Sequence, residues 1–308
     1  MATPEIATGA PSVRSRGNGI SAAAPAARVV KAQTNGGRTF NTICAVILTV
    51  FAILWLLPSL WGIKTSLTQN SVSALGAESI LKDLHPTFAS YAALLKGGDL
   101  WNWYLSSALT SAVSAALVVL FASMAGYALS RMSFRGRNLV FAAVIAGIMI
   151  PANVLIIPLV EQLNWLNLLN TYWSLIFPQV PSVIALFVFK QFFDGIPREL
   201  EESARLDGAS NWRIYRSIIM PLSKPVISAM AIVTFVGVWN NLILPLFTMS
   251  NPKLMTIPVG LASVQGSFGQ RYSDIQASAV LGALPLVILF LIFQRRIVEG
   301  VAGTGLKG

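Results

Sequence analysis

Charge is scarce in this chain, and where it is missing says more than the total. Only 11% of the 308 residues are Asp, Glu, Lys or Arg, against about 25% in soluble domains. Six long apolar stretches carry none of these, and no histidine, away from their ends. Ion-driven transporters keep ionisable groups at mid-membrane because those groups carry the coupling ion. Enzymes need such groups as acids and bases. Their absence argues against a self-contained ion-driven pump and against an intramembrane enzyme. The one cysteine, Cys44, lies inside an apolar run, so no internal disulfide can form. The one histidine, His85, has no Cys or His near it in sequence, which argues against a metal site. No G-x-x-x-x-G-K-[ST] loop occurs, so this chain does not hold ATP in the P-loop manner.

Apolar residues are what the chain has in plenty. They make up 55% of it, and the mean hydropathy is +0.66. Both values point to a membrane. Six stretches are long enough to span one: residues 42–63, 104–130, 139–160, 172–193, 225–247 and 275–293. Pro151, Pro158, Pro178 and Pro181 interrupt the third and fourth. The net charge of +10 could suggest nucleic acid, but the basic residues are scattered between apolar runs. With both termini on the cytoplasmic side, 17 of the Lys and Arg residues fall inside and 5 outside, which is the positive-inside bias. Trp101, Trp103, Tyr104, Tyr172 and Trp173 then sit at outer boundaries, as an aromatic belt would. Residues 1–39 are rich in Ala, Gly, Ser, Pro and Arg and read as a flexible cytoplasmic tail. A basic, acid-poor organelle transit peptide is the alternative. A secretory signal fits poorly, because the first apolar run is too long and no cleavage site follows it. The fold class expected is an all-α membrane protein of six transmembrane helices, with residues 40–308 as one transmembrane domain.

One long polar block interrupts the second half: "EESARLDGASNWRIYRSIIMPL", residues 201–222. Pro197 suits a first helical turn, and Glu199, Glu201 and Glu202 favour the helix N-terminus electrostatically. Arg198 with Glu202, and Glu201 with Arg205, are spaced to pair on one face. Gly208 stands where a left-handed C-terminal cap belongs, and Ser210 can cap a second helix. Ile214 and Ile218, flanked by Tyr215 and Ile219, form an apolar stripe at helical spacing. The block therefore reads as helix, Gly turn and amphipathic helix at the cytoplasmic surface. By periodicity alone it is either a solvated connector or a docking element, although connectors are often much shorter than about 30 residues.

The order Glu202-Ser203-Ala204, three residues, Gly208, nine residues, Ile218, one residue, Met220-Pro221 resembles the EAA loop of ABC importer permeases. That family's pattern is Glu-Ala-Ala, three, Gly, nine, Ile, one, Leu-Pro; this chain departs from it at Ser203 and Met220. "AGYALSRMSFRGR" (125–137), "FPQVPSVIALFVFKQFFDGIPRELEESARLDGAS" (177–210) and "VGVWNNLILPL" (236–246) are similar to the second, fourth and fifth spans of carbohydrate-type permeases. The closing "GVAGTGLKG" resembles the tail of the second permease of maltose-type importers. Together the likeness covers most of residues 88–308.

The resemblance implies a subunit of a bacterial cytoplasmic-membrane importer that is not itself an enzyme. Its partners would be a second, homologous permease in a heterodimer, two ATP-binding subunits that hold ATP and Mg, and an extracytoplasmic solute-binding protein. No nucleic acid is implied. Glu202, Ala204, Asp207, Gly208 and Pro221 would belong to the ATPase-coupling loop. Gly303, Gly305 and Lys307 would contact the ATPase pair, although a Gly-rich tail alone would be flexible and a frayed terminus is the alternative. A substrate pathway would run past Trp239, Asn240 and Asn241, with Asn153 and Gln179 beside prolines. The same amides could instead make interhelical hydrogen bonds. Residues 64–103 would face the solute-binding protein, with a surface helix in 85–95. Two other readings stay open: an ATP-independent channel or facilitator, and an ABC permease for a polyol, glycerol phosphate or peptide.

Overall fold

The computed structural model describes residues 35–68, 86–97, 99–267 and 272–305, without the side chains at 35, 36, 38, 264–267 and 295–305. Among them every regular element is helical. The expected tail falls outside the described residues up to residue 34, as does His85. Helix α1, Asn35–Ser66, begins inside the range read as tail. The chain divides into two compact units, residues 1–54 and 55–308. In the first, Phe40, Ile43, Ile47, Val50 and Leu54 of α1 are all exposed.

The second unit is organised around one long helix. After α2, Ala89–Lys96, helix α3 runs from Leu100 to Arg131, 32 residues and roughly 48 Å at 1.5 Å per residue. Its composition inverts a soluble helix. Ser106, Ser107, Thr110, Ser111, Ser114 and Ser123 are buried, while Leu105, Leu120 and Phe121 face outward. Small residues let neighbouring helices approach closely where no water drives burial. Gly126 shows how close: a Cβ there would lie 2.9 Å from Phe189 Cβ and 3.0 Å from the Lys190 backbone nitrogen.

The chain then runs through α4 (Arg137–Ala146) and α5 (Ile156–Trp165), joined by short 3-10 turns. Next come α6 (Trp173–Ile176) and α7 (Val183–Asp194). After these stand α8 (Glu199–Leu206), α9 (Asn211–Leu222) and α10 (Lys224–Trp239). The last are α11 (Ile243–Thr248), α12 (Ile257–Ser267) and α13 (Tyr272–Gly305). Helix α3 packs chiefly on α7 and α10, and α10 also on α13. The core between them contains Val118, Ala122, Phe189, Phe193, Ile214 and Ile219.

Among the described residues, three helices are long and apolar enough to cross a membrane: residues 39–66, 100–131 and 272–294. The number reaches six if each bent pair forms one span: 137–149 with 152–165 at 90°, 173–179 with 183–194 at 43°, and 211–222 with 224–239 at 78°. The third and fourth expected spans are thus not straight helices. Ile150, just before Pro151, is extended at ψ 116°, because a prolyl ring disfavours helical geometry in the residue before it. Ser182, just after Pro181, is extended at ψ 103° and caps α7 by accepting from Ala185 N–H. The fifth expected span, 225–247, stops at Trp239 and restarts at Ile243. Residues 300–305, in the stretch read as an ATPase contact or a frayed terminus, continue α13 to Gly305; extending an existing helix costs far less than nucleating one.

Candidate functional site

The polar block forms two helices around a tight turn. Helix α8 has Arg198 as its N-cap, with Glu199, Glu201 and Glu202 in the first turn. Pro197 stands one residue before the cap. The helix closes when Ala209 N–H donates to Ala204 O at 2.9 Å and Gly208 N–H to Arg205 O at 3.0 Å. Gly208 takes φ +78° there, the left-handed geometry that residues with a Cβ resist. Ser210 is extended, and its Oγ accepts from Arg213 N–H at 3.3 Å, capping α9. Within α9, residues 215–219 widen into a π-helical turn. That turn advances the stripe: Ile214, Tyr215 and Ile219 are buried, while Ile218 is only partly so.

The outer side of this element is exposed. Glu202, Asp207 and Gly208 face solvent, Ala204 is half-buried, and Pro221 is exposed. Two large apolar side chains stand among them: Leu206 is 90% exposed and Trp212 55%. A hollow of about 180 Å³ opens between Ala204, Asp207 and Arg213.

The inner side is held tightly. Glu201 and Arg205 were expected to pair on one face of α8, and they do not. Glu201 turns inward instead, with Oε1 3.1 Å from Nε of Arg131, the last residue of α3. The two side chains are only 6% and 3% exposed. The Nε–H is not aimed at that oxygen as a hydrogen bond requires, so the contact is charge against charge. Arg205 donates to Asn211 Oδ1 at 3.2 Å. Arg131 also donates to Phe193 O, and to Ile196 O at 2.6 Å, placing a cation at the C-terminal end of α7, where a helix favours one. Next to it, Ser130 Oγ donates to Asp194 Oδ1 at 2.6 Å, and Lys190 Nζ stands 2.7 Å from Asp194 Oδ2. Helix α9 is tied to α3 as well: the Tyr215 and Ser123 hydroxyls are 2.8 Å apart, and the Tyr215 ring lies 5.3 Å from that of Tyr127. Sequence reasoning missed Arg131 and Glu201, which are 70 residues apart. The available signal was an arginine ending an apolar run.

The pathway candidates gather at helix breaks. Asn153 lies in the 3-10 turn of the 90° bend and is exposed. Gln179 ends the 3-10 turn before the 43° bend and is half-buried. Asn240 and Asn241 fill the gap between α10 and α11. Asn240 is exposed and donates to Val236 O at 3.0 Å; Asn241 Oδ1 accepts from Leu244 N–H at 3.3 Å. Trp239 differs from them. It is buried, stacks on Phe235 at 5.7 Å, and donates to Gly282 O at 3.3 Å. Gly303 and Gly305 are in the last turns of α13, and Lys307 lies outside the described residues.

Residues 118–301 match the model of the family described as binding-protein-dependent transport system inner membrane component. The chain is 35% identical over 262 residues to the arabinooligosaccharides transport system permease protein of Halalkalibacterium halodurans, covering 85% of this chain and 92% of that one. It is 34% identical over 275 residues to the sulfoquinovosyl glycerol transport system permease protein of Agrobacterium fabrum, covering 88% and 95%. It is 33% identical over 270 residues to the trehalose/maltose transport system permease protein of Thermococcus litoralis, covering 84% and 94%. Among solved structures, a chain of a bacterial ABC transporter involved in the import of the acidic polysaccharide alginate superimposes with a TM-score of 0.72 at 20% identity. It covers 85% of this chain and 98% of that one, a likeness of fold.

Proposed function

We propose, since the chain belongs to the family of binding-protein-dependent transport system inner membrane components, that it is the permease subunit of an ATP-driven importer for a sugar or oligosaccharide. Relatives named for arabinooligosaccharides and for trehalose and maltose support the solute class. The observation that carries the coupling role is the two-faced element α8–Gly208–α9: fastened to α3 on one side, open on the other. Separate ATPase subunits bind ATP and Mg, and the exposed face, with Glu202, Ala204, Asp207, Gly208 and Pro221, docks on one of them. Six spans with both termini in the cytoplasm of a bacterium put this face on the ATPase side. A second, homologous permease completes the pore, and a solute-binding protein delivers the solute from outside. Nucleotide then biases a rigid-body switch because it binds one state of the assembly better. Gly303, Gly305 and Lys307 add a second contact with the ATPase pair.

The pathway follows the breaks. Freed backbone groups survive at membrane depth only where protein or a water-filled cavity satisfies them. Asn153, Gln179, Asn240 and Asn241 supply amides there, suited to hydroxyl-rich solutes. Trp239 supports this wall by packing.

The test is reconstitution in proteoliposomes with the partner subunits, measuring uptake of maltose, trehalose and arabinooligosaccharides. Uptake should require ATP. Uptake without ATP would make the chain a facilitator, and uptake restricted to a polyol or glycerol phosphate would overturn the sugar assignment. Gly208→Val should lower ATP-driven uptake roughly tenfold, within the usual range of coupling energies, while membrane insertion stays intact. Normal uptake in that variant would remove the coupling assignment.

A further inference from the structure

One guanidinium joins three elements on the inner side of the coupling face. Arg131 ends α3, donates to the carbonyls of Phe193, in the last turn of α7, and of Ile196, just beyond it, and holds Glu201 in the first turn of α8. Both charged side chains are more than nine-tenths buried. Neither can part from the other without leaving a charge unpaired in a place poor in water. Helix α8 therefore cannot move on its own past the end of α3.

The other end of α3 is fastened too. Trp103 Nε1–H donates to Pro252 O at 2.7 Å, Tyr104 Oη to Leu281 O at 2.7 Å, and Ser107 Oγ accepts from Ile257 N–H at 2.8 Å. These bonds join α3 to the turn before α12, to α12 itself and to α13. A rotation or shift of α3 at its Arg131 end must displace the segments at its Trp103 end.

We propose that Arg131 and Glu201 are positioning residues of the transport cycle: their buried ion pair locks α8 to α3, so that movement of the coupling face is delivered along α3 to the opposite side of the bundle. Neither residue touches the solute or the nucleotide. The inference rests on the docking role of α8–Gly208–α9. It differs from that role in naming the route by which the movement enters the bundle.

The experiment uses the full transporter in proteoliposomes, with Cys44→Ser as background and spin labels read by electron paramagnetic resonance. A label at Leu206→Cys, 90% exposed and outside the residues assigned to docking, reports docking of the ATPase subunit. A label pair at Trp101→Cys and Phe247→Cys, both exposed, reports the far end of α3 relative to α11. The probe is MgATP with orthovanadate, so no solute is needed. Without further substitution, the Leu206 label should be immobilised by the ATPase subunit, and the 101–247 distance should change on trapping. Glu201→Gln should keep the first response and lose at least half of the second. Glu201→Asp should restore most of it, because the charge returns. Where the single variant fails to assemble, the pair Arg131→Met with Glu201→Met removes both charges and leaves no orphan; it should dock and show the same reduced distance change. An undiminished distance change in Glu201→Gln or in the double variant overturns this proposal alone. A silent Leu206 label in the otherwise unsubstituted transporter overturns the docking role and this proposal together.

Discussion

The two ends of α3 are fastened by different chemistry. At the Arg131 end the ties are charged: Arg131 with Glu201, and Ser130 and Lys190 with Asp194. At the Trp103 end they are neutral: an indole, a phenol and a hydroxyl bound to backbone groups. Gly260 lies so close that an added Cβ would overlap the Trp103 indole. A neutral bond can be broken and replaced by another at a cost of about 1 kcal/mol. A buried charge stripped of its partner has no such substitute. The charged end should therefore respond to single substitutions far more than to paired ones, and the neutral end should respond to each loss separately.

Glu201→Ala should show the largest effect. It leaves Arg131 buried and unpaired, and stability in detergent should fall by about 3–5 kcal/mol. Adding Arg131→Met should recover much of that loss, measured as a thermal melt followed by size-exclusion chromatography. If the double variant is no more stable than the single one, charge is not what distinguishes this end. Gly260→Val comes next: packing against Trp103 leaves no room, and overpacking typically costs about 1–3 kcal/mol. Pairing it with Trp103→Ala should relieve the overlap. Trp103→Phe keeps an aromatic ring but removes the donor to Pro252 O and the pyrrole half of the indole, so a loss of about 1–2 kcal/mol is expected. A loss as large as that of Glu201→Ala would erase the contrast between the ends. Ser210→Ala, which removes a cap on the solvent side of α9, should cost about 0.5–1 kcal/mol. Hydrogen exchange confined to the first turn of α9 would detect it.

How far the sequence could be read follows the same division. Gly208 and Ser210 were legible because the conformations they serve, a left-handed turn and an extended cap, are decided within a few residues. Helix content was legible because long apolar runs leave the backbone no other way to satisfy its hydrogen bonds in a membrane. The bend angles were not legible. A proline shows where a helix breaks, but 90° at Pro151 and 43° before Val183 depend on what the two halves pack against. The pairing of Glu201 also escaped, since Arg205 one turn away was the nearer partner in sequence. The π turn at 215–219 has no local signature in those residues.

Composition and spacing by themselves determined a helical membrane chain, the place of its polar block and the turn inside that block, because each depends on local geometry or on the solvent the chain must enter. Tertiary structure alone decided which face of the block is open, which glutamate is withdrawn from it, and that its arginine partner ends a helix 70 residues earlier in the chain. The physical reason is packing: once the bundle buries a carboxylate, the cost of desolvation makes an opposite charge necessary, and only the packed bundle sets which one lies within reach.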